Sequence, residues 1–133
     1  MDSVVLDSSV VLAYVLKERG GQRLDSLLDS IDRGDGVLAA ISSVNWCEVL
    51  GRLHRDNQTM APTDLSALLS GVELVPFGKR EAEIAADYVR SAPALSLGDR
   101  ACLALAAARK ATAWTTDKIW TRMNTGVDLE VLR

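Results

Sequence analysis

The chain predicts an α/β fold in three layers, α/β/α, with a mostly parallel five-stranded sheet at its centre. Three observations carry this. Five short runs have strand character: Val4–Leu6, Val37–Ile41, Val72–Val75, Ala113–Thr116 and Val127–Leu132. Most are apolar and β-branched and lack clean alternation, as suits strands buried on both faces of a parallel sheet. Helical patterns lie between them, and strands alternating with helices build parallel sheets covered on both sides. At 133 residues the chain can bury a proper core and reads as one domain, 1–133, without linker, internal repeat or low-complexity segment.

Taken in order, Val4–Leu6 is the first strand, and Ser8 or Ser9 is placed to cap a helix running through Leu12 and Leu16. Leu24, Leu27, Leu28 and Ile31 follow at spacing i, i+3, i+4, i+7, and Gly34 stops that helix. After the second strand, a helix runs from Val44 to about Arg55, with Asn45 and Glu48 spaced as a cap and its answer. Pro62 opens a helix with Leu65, Leu68 and Leu69 on one face, since proline suits a first helical position. Beyond the third strand, Glu81–Arg90 is helical until Pro93. Ser96-Leu97-Gly98-Asp99 is a Ser-x-x-Asp capping pattern for the helix Leu97–Lys110, whose closing Arg109-Lys110 suits the negative end of the helix dipole. Asp117 is placed to cap a short segment, Lys118–Met123.

Composition narrows the chemistry. Apolar residues make up 48% and charged residues 25%, the balance of a soluble globular protein. No apolar run approaches a membrane span of roughly 20 residues. The start lacks the basic lead-in of a signal peptide, so a cytoplasmic location is expected. The single histidine, His54, excludes a multi-histidine metal site and argues against histidine-based triads; it is expected on the exposed side of its helix between Arg52 and Arg55. Cys47 and Cys102 form no Cys-x-x-Cys pair and read as buried small hydrophobes. Nothing matches a Gly-rich phosphate loop, so no nucleotide cofactor is indicated. The net charge of −3 is not the bulk signature of a nucleic-acid binder, but clustered acids lower net charge, and eleven of the fifteen basic residues are Arg, the better bidentate phosphate partner.

Four acids stand where elements start or stop. Asp7 closes the first strand, Asp117 follows the fourth, and Glu48 and Asp99 each fall about one turn into a helix. Each alone has a structural role open to it, as a turn residue or helix cap. Together they would lie on one edge, because the carboxyl ends of parallel strands face a common crevice. Two carboxylates about 4 Å apart repel by about 4 kcal/mol at an effective dielectric of about 20, so a cluster of four is a costly way to cap helices. A hard divalent cation reverses the sign of that interaction. Ser9 and Thr115 lie two residues from Asp7 and Asp117 and can orient the carboxylates.

At these residues the chain resembles the PIN-domain ribonucleases of the VapC type, the toxin half of bacterial toxin–antitoxin pairs. The matching segments are VVLDSSVVLAYVLKE, SSVNWCEVLGRL, LSLGDRACLALAAA and TTDKIWTRM. Their order and spacing span essentially the whole chain, and SLGDRACLALA and the Thr-x-Asp…Trp pattern are the most specific. The resemblance places the family's acidic residues on Asp7, Glu48, Asp99 and Asp117 and its hydroxyls on Ser9 and Thr115; Trp46-Cys47 is an uncommon lead-in to Glu48. It implies that the acids hold one or two Mg²⁺ or Mn²⁺ ions and that RNA is hydrolysed by metal-activated water to 5′-phosphate and 3′-hydroxyl ends. It also implies a small antitoxin partner and a homodimer.

Arg100 and Lys118, each directly after an acid, can hold an RNA backbone or serve as solvated surface charges. Trp114 reads as core packing, while Trp46 and Trp120 are open between core and base stacking. Two other readings stand beside the nuclease. One is a PIN-like module that binds without catalysis. The other is a receiver-like phosphoacceptor domain, which needs an acidic end to its central third strand; here that strand ends Val75-Pro76-Phe77.

Overall fold

The computed structural model describes residues 2–58 and 60–132. Five strands, β1 (Ser3–Leu6), β2 (Leu38–Ser42), β3 (Val72–Val75), β4 (Thr112–Thr115) and β5 (Leu129–Val131), form one sheet in the order β3-β2-β1-β4-β5. All four neighbouring pairs are parallel. The helices are α1 (Ser8–Val15), α2 (Gly21–Asp32), α3 (Ser43–Arg55), α4 (Pro62–Leu68), α5 (Lys79–Ser91) and α6 (Leu97–Arg109), with a 3-10 turn at Lys118–Arg122.

Successive strand residues feed opposite layers, as the two-residue period of a strand requires. Val4, Leu6, Ala39 and Ile41 pack with Val10, Val11, Leu24, Leu27, Val49, Leu53 and Leu65, so α1, α2, α3 and α4 cover one face. Val5, Ala40 and Ala113 pack with Tyr88, Cys102, Leu103, Ala106 and Trp120, so α5 and α6 cover the other. The expected three-layer α/β/α arrangement is therefore present. Alanine at Ala40 and Ala113 lets α6, itself Ala-rich and buried from Ala101 to Ala106, lie close on the sheet.

The strand order places the reversal of winding between β1 and β4. Strands β2 and β3 are laid down on one side of β1, and β4 and β5 on the other. The crevice outside the carboxyl ends at such a reversal is where open α/β sheets bind ligands.

Several local expectations need correction. The N-cap of α1 is Asp7 itself, without a side-chain cap bond, and Ser8 and Ser9 already lie within the helix. Their hydroxyls are spent on carboxylates instead, as described below. The cap of α3 is Ser42, whose Oγ accepts from the Val44 amide at 3.2 Å, so Asn45 is a helical residue and no cap. The edge strands β3 and β5 are only partly covered, and β5 is shorter than the alternating run Val127–Leu132 that suggested it. Cys102 is buried, and burial pushes its thiol pKa well up; Cys47 is exposed, because it lies on the α3 face turned away from Val49 and Leu53. The Ser96/Asp99 capping box is present, with Ser96 Oγ accepting from the Asp99 amide and the Ser96 amide donating to Asp99, both at 3.2 Å. His54 is exposed as expected. No helix among the described residues is long and apolar enough to cross a membrane.

Candidate active site

Asp7 follows β1 directly, and Thr115 ends the adjacent strand β4. The Asp7 amide donates to the Trp114 carbonyl at 2.9 Å, extending the ladder one residue and fixing the acid at the reversal of the sheet. The Asp7 side chain is only 3% exposed. Two hydroxyls hold the same oxygen: Ser9 Oγ donates to Oδ2 at 2.6 Å and Thr115 Oγ1 at 2.9 Å. Each hydroxyl also accepts a backbone amide. Ser9 Oγ takes the Thr116 N–H at 3.1 Å, and Thr115 Oγ1 takes the Asp117 N–H at 3.1 Å. The network thus joins the end of β1, the start of α1 and the loop after β4. Ser9 thus holds the acid two residues before it, whereas Thr115 holds the Asp7 carboxylate and only the backbone amide of Asp117.

The Asp7 carboxyl pKa is pushed up to about 6. Burial is the main cause, and the charges of Asp99 and Glu48 push the same way, while the Ser9 and Thr115 hydrogen bonds oppose them. The Asp99 pKa is also raised, first by burial and further by Asp117 and Glu48, against the lowering bonds from Ser96. The four acids are therefore close enough to feel one another, with Asp7 and Asp99 each sensing Glu48 and Asp99 sensing Asp117.

Each acid is nevertheless turned to a local partner. Glu48 Oε1 accepts from Ser8 Oγ at 3.0 Å and from Asn45 Nδ2 at 3.0 Å. Asp99 answers Ser96, and Asp117 Oδ1 accepts from the Ile119 amide at 3.0 Å. In these rotamers no group of three His, Cys, Asp or Glu side chains among the described residues converges enough to hold a metal ion. The donor chemistry does fit a hard divalent cation. All four groups are oxygen acids, none has a Lys or Arg ion pair among the described residues, and their charges repel. The residues that would hold such an ion are Asp7, Asp99, Asp117 and Glu48.

Three residues here have roles that sequence reading did not find. Asn45 is fully buried and its Nδ2 donates to both Glu48 and the Gly98 carbonyl, each at 3.0 Å, tying α3 to the start of α6. Gly98 has the Glu48 carboxylate lying over its Cα, where a Cβ would collide with it. Ser8 holds Glu48 from α1. The only sequence signal was polarity at otherwise apolar spacing (Asn45) and a glycine inside a helical run (Gly98).

The remaining candidates divide. Arg100 is half-buried, with one guanidinium nitrogen donating to the Pro93 carbonyl at 3.3 Å, so it braces the loop before α6. Lys118 is exposed on the 3-10 turn beside Asp117. Trp120 is fully buried and belongs to the core under α6, which excludes base stacking. Trp114 is half-buried, with the Arg23 guanidinium 5.3 Å from its ring centroid, and Trp46 packs against the core on the α1–α4 side.

The sheet and its edge define an α/β protein with a group of mutually repelling carboxylates at the strand-order reversal. Comparison with known families makes this specific: the chain belongs to the PIN domain family, whose model matches residues 4–125. Solved structures with the same fold include VapBC2 from Rickettsia felis bound to a DNA fragment from their promoter. It shares 18% identity at a TM-score of 0.76, over 98% of this chain and 99% of that one. DNA-bound VapBC from Salmonella typhimurium matches at 18% identity and TM-score 0.66, over 98% of both chains. FitAcB from Neisseria gonorrhoeae matches at 17% identity and TM-score 0.63, over 95% of both. No curated protein matches the chain significantly.

Proposed function

We propose that the protein is a divalent-metal-dependent endoribonuclease acting as the toxin of a VapBC-type toxin–antitoxin pair. It cuts RNA to leave 5′-phosphate and 3′-hydroxyl ends and is held by a small cognate antitoxin, itself working as a homodimer. The observation that carries this reading is Asp7: a buried carboxylate at the sheet reversal, gripped by two hydroxyls and repelled by two neighbouring acids. Family membership supports it, since PIN domains are generally nucleases that use divalent metals.

A bound Mg²⁺ or Mn²⁺ would lower the pKa of a water and offset charge on the scissile phosphate. The chain's own residues prepare that site. Ser9 and Thr115 donate to Asp7 Oδ2 and so favour its ionised, acceptor state against burial. Asn45 and Ser8 point Glu48 towards α6, beside Asp99. Thr115 ties the backbone of Asp117 to Asp7, so the two strand-end acids move as a unit.

Total RNA incubated with the protein should be cut when Mg²⁺ or Mn²⁺ is present and left intact in excess chelator. New 5′ ends should be ligatable, as 5′-phosphates are, and Asp7→Asn should yield none. Cleavage by wild type in excess chelator, absent from Asp7→Asn, would sink the metal mechanism. A second reading has its own observation: Glu48, Asp99 and Asp117 are each engaged in local structural bonds, as suits a module that binds without catalysis. Absence of any metal-dependent cleavage would favour it.

A further inference from the structure

Next to the acidic centre lies a second, mostly polar cavity of about 410 Å³, lined by Ser9, Ala13, Glu18, Arg19, Thr116 and Lys118. It is formed by α1 through Ser9 and Ala13, by the loop after α1 through Glu18 and Arg19, and by the segment that carries the chain from β4 into the 3-10 turn. We propose that this cavity holds a backbone phosphate of the RNA strand, gripped by Arg19 and Lys118 one step along from the phosphate being cut. The proposal rests on the ribonuclease reading and adds to it a site and a residue, Arg19, that the motifs do not mark.

Three observations point this way. First, the cavity shares Ser9 with the centre: the same hydroxyl that donates to Asp7 at 2.6 Å forms its inner wall and accepts the Thr116 amide at 3.1 Å. A strand crossing Asp7 therefore meets the cavity within about one nucleotide. Second, Arg19 and Lys118 are both exposed, and neither has an ion pair among the described residues. They come from different segments, the loop after α1 and the turn after β4, and line the same cavity, which suits two donors closing on one anion. Third, the protein needs such a device. Its net charge is −3 and its centre is a cluster of carboxylates, so a polyanion is repelled unless local cations hold it. Arg100, the other basic neighbour of an acid, is turned to the Pro93 carbonyl. Glu18 on the rim works against the anion.

The probe is a fluorescein-labelled single-stranded oligouridylate of about ten nucleotides, titrated by anisotropy against the full-length protein in the uncleaving Asp7→Asn background. Arg19→Gln/Lys118→Gln should bind it about tenfold more weakly at moderate salt, given two charge-assisted contacts. The slope of log affinity against log salt should flatten by about 0.7, because one phosphate contact on a single strand releases about 0.7 counter-ion. Arg19→Lys should recover part of the loss, and Glu18→Gln should tighten binding. In the active protein, the double variant should raise KM for RNA more than it lowers kcat. Unchanged affinity and salt slope in a double variant that melts like its parent would overturn the site and leave the nuclease reading intact. Salt-dependent binding lost in the double variant, with no RNA cleavage by wild type, would keep the site and defeat the nuclease reading. Equal, Arg19-dependent binding of polyglutamate would overturn the phosphate assignment in favour of an acidic protein partner.

Discussion

In the proposed site, Asp7 sets function against stability. Its pKa in the fold, about 6, lies above its ordinary value of 3.8. A carboxyl raised in this way favours the fold when protonated. The contribution is complete below about pH 4 and is lost as pH rises through about 6. The gap between the two values corresponds to about 3 kcal/mol, and the raised pKa of Asp99 acts in the same direction. In chelator, Asp7→Asn should therefore match wild type near pH 4 and exceed it by up to about 3 kcal/mol at pH 7. Urea melts across that range check this, and parallel curves for the two proteins would contradict the burial account. Thr115 is the complementary case. Its hydroxyl donates to Asp7 and accepts from the Asp117 amide, and the residue is fully buried. Thr115→Val leaves both partners short of a bond, so it should lose about 1–3 kcal/mol of stability as well as activity. Denaturation and cleavage assays on one preparation test both losses.

Elements, rather than single motifs, bring the acids together, and this is where reading the sequence met its limits. The helix α6 was legible end to end: Ser96 and Asp99 form the capping box their spacing announced. The central strands β1, β2 and β4 were legible because buried parallel strands are apolar runs; β3, a partly exposed edge strand, was placed to the residue by its β-branched and apolar ends. The start of α3 was not, because Ser42 and Asn45 are both good caps and only the tertiary pull of Gly98 on Asn45 decides between them. Nor was the meeting of α3 with α6, since contacts between Asn45 or Glu48 and Gly98 leave no trace in local periodicity. That meeting has a sharp consequence. A Cβ at Gly98 collides first with the end of a flexible side chain, the Glu48 carboxylate, whose atoms are its three nearest neighbours. Gly98→Ala should thus leave stability unchanged or raise it by up to about 1 kcal/mol, the helix preference of Ala over Gly. It should displace Glu48 from Asn45 and Ser8, and cleavage should fall towards the level of Glu48→Ala. A Gly98→Ala variant that is fully active would show that the position of Glu48 does not matter to the chemistry.

At the scale of the whole molecule, the sheet gathers at one edge what the chain keeps more than a hundred residues apart. The reversal between β1 and β4 puts Asp7 beside Thr115, and α3 and α6, on opposite faces, each bring one more acid to the same end. If this charged edge admits RNA, as proposed, it also admits a cationic side chain from a protein. An Arg or Lys reaching Asp7 and Asp99 would neutralise the site by charge-assisted hydrogen bonds and exclude the metal. On the α1–α4 side, a largely apolar cavity of about 480 Å³ between α1, α2 and α4, lined by Ala13, Tyr14, Val15, Met60 and Leu68 among others, can seat the rest of such a partner. If the protein is a toxin restrained in this way, its induction alone in a bacterial host should slow growth, and Asp7→Asn should not. Co-expression with a small partner that carries a basic, apolar tail should restore growth, and truncating that tail should abolish the rescue. Equal growth of wild-type and Asp7→Asn cultures, with intact RNA in both, would leave a PIN domain that binds but does not cut, its acids then serving as the caps and turn residues that their local bonds already make them.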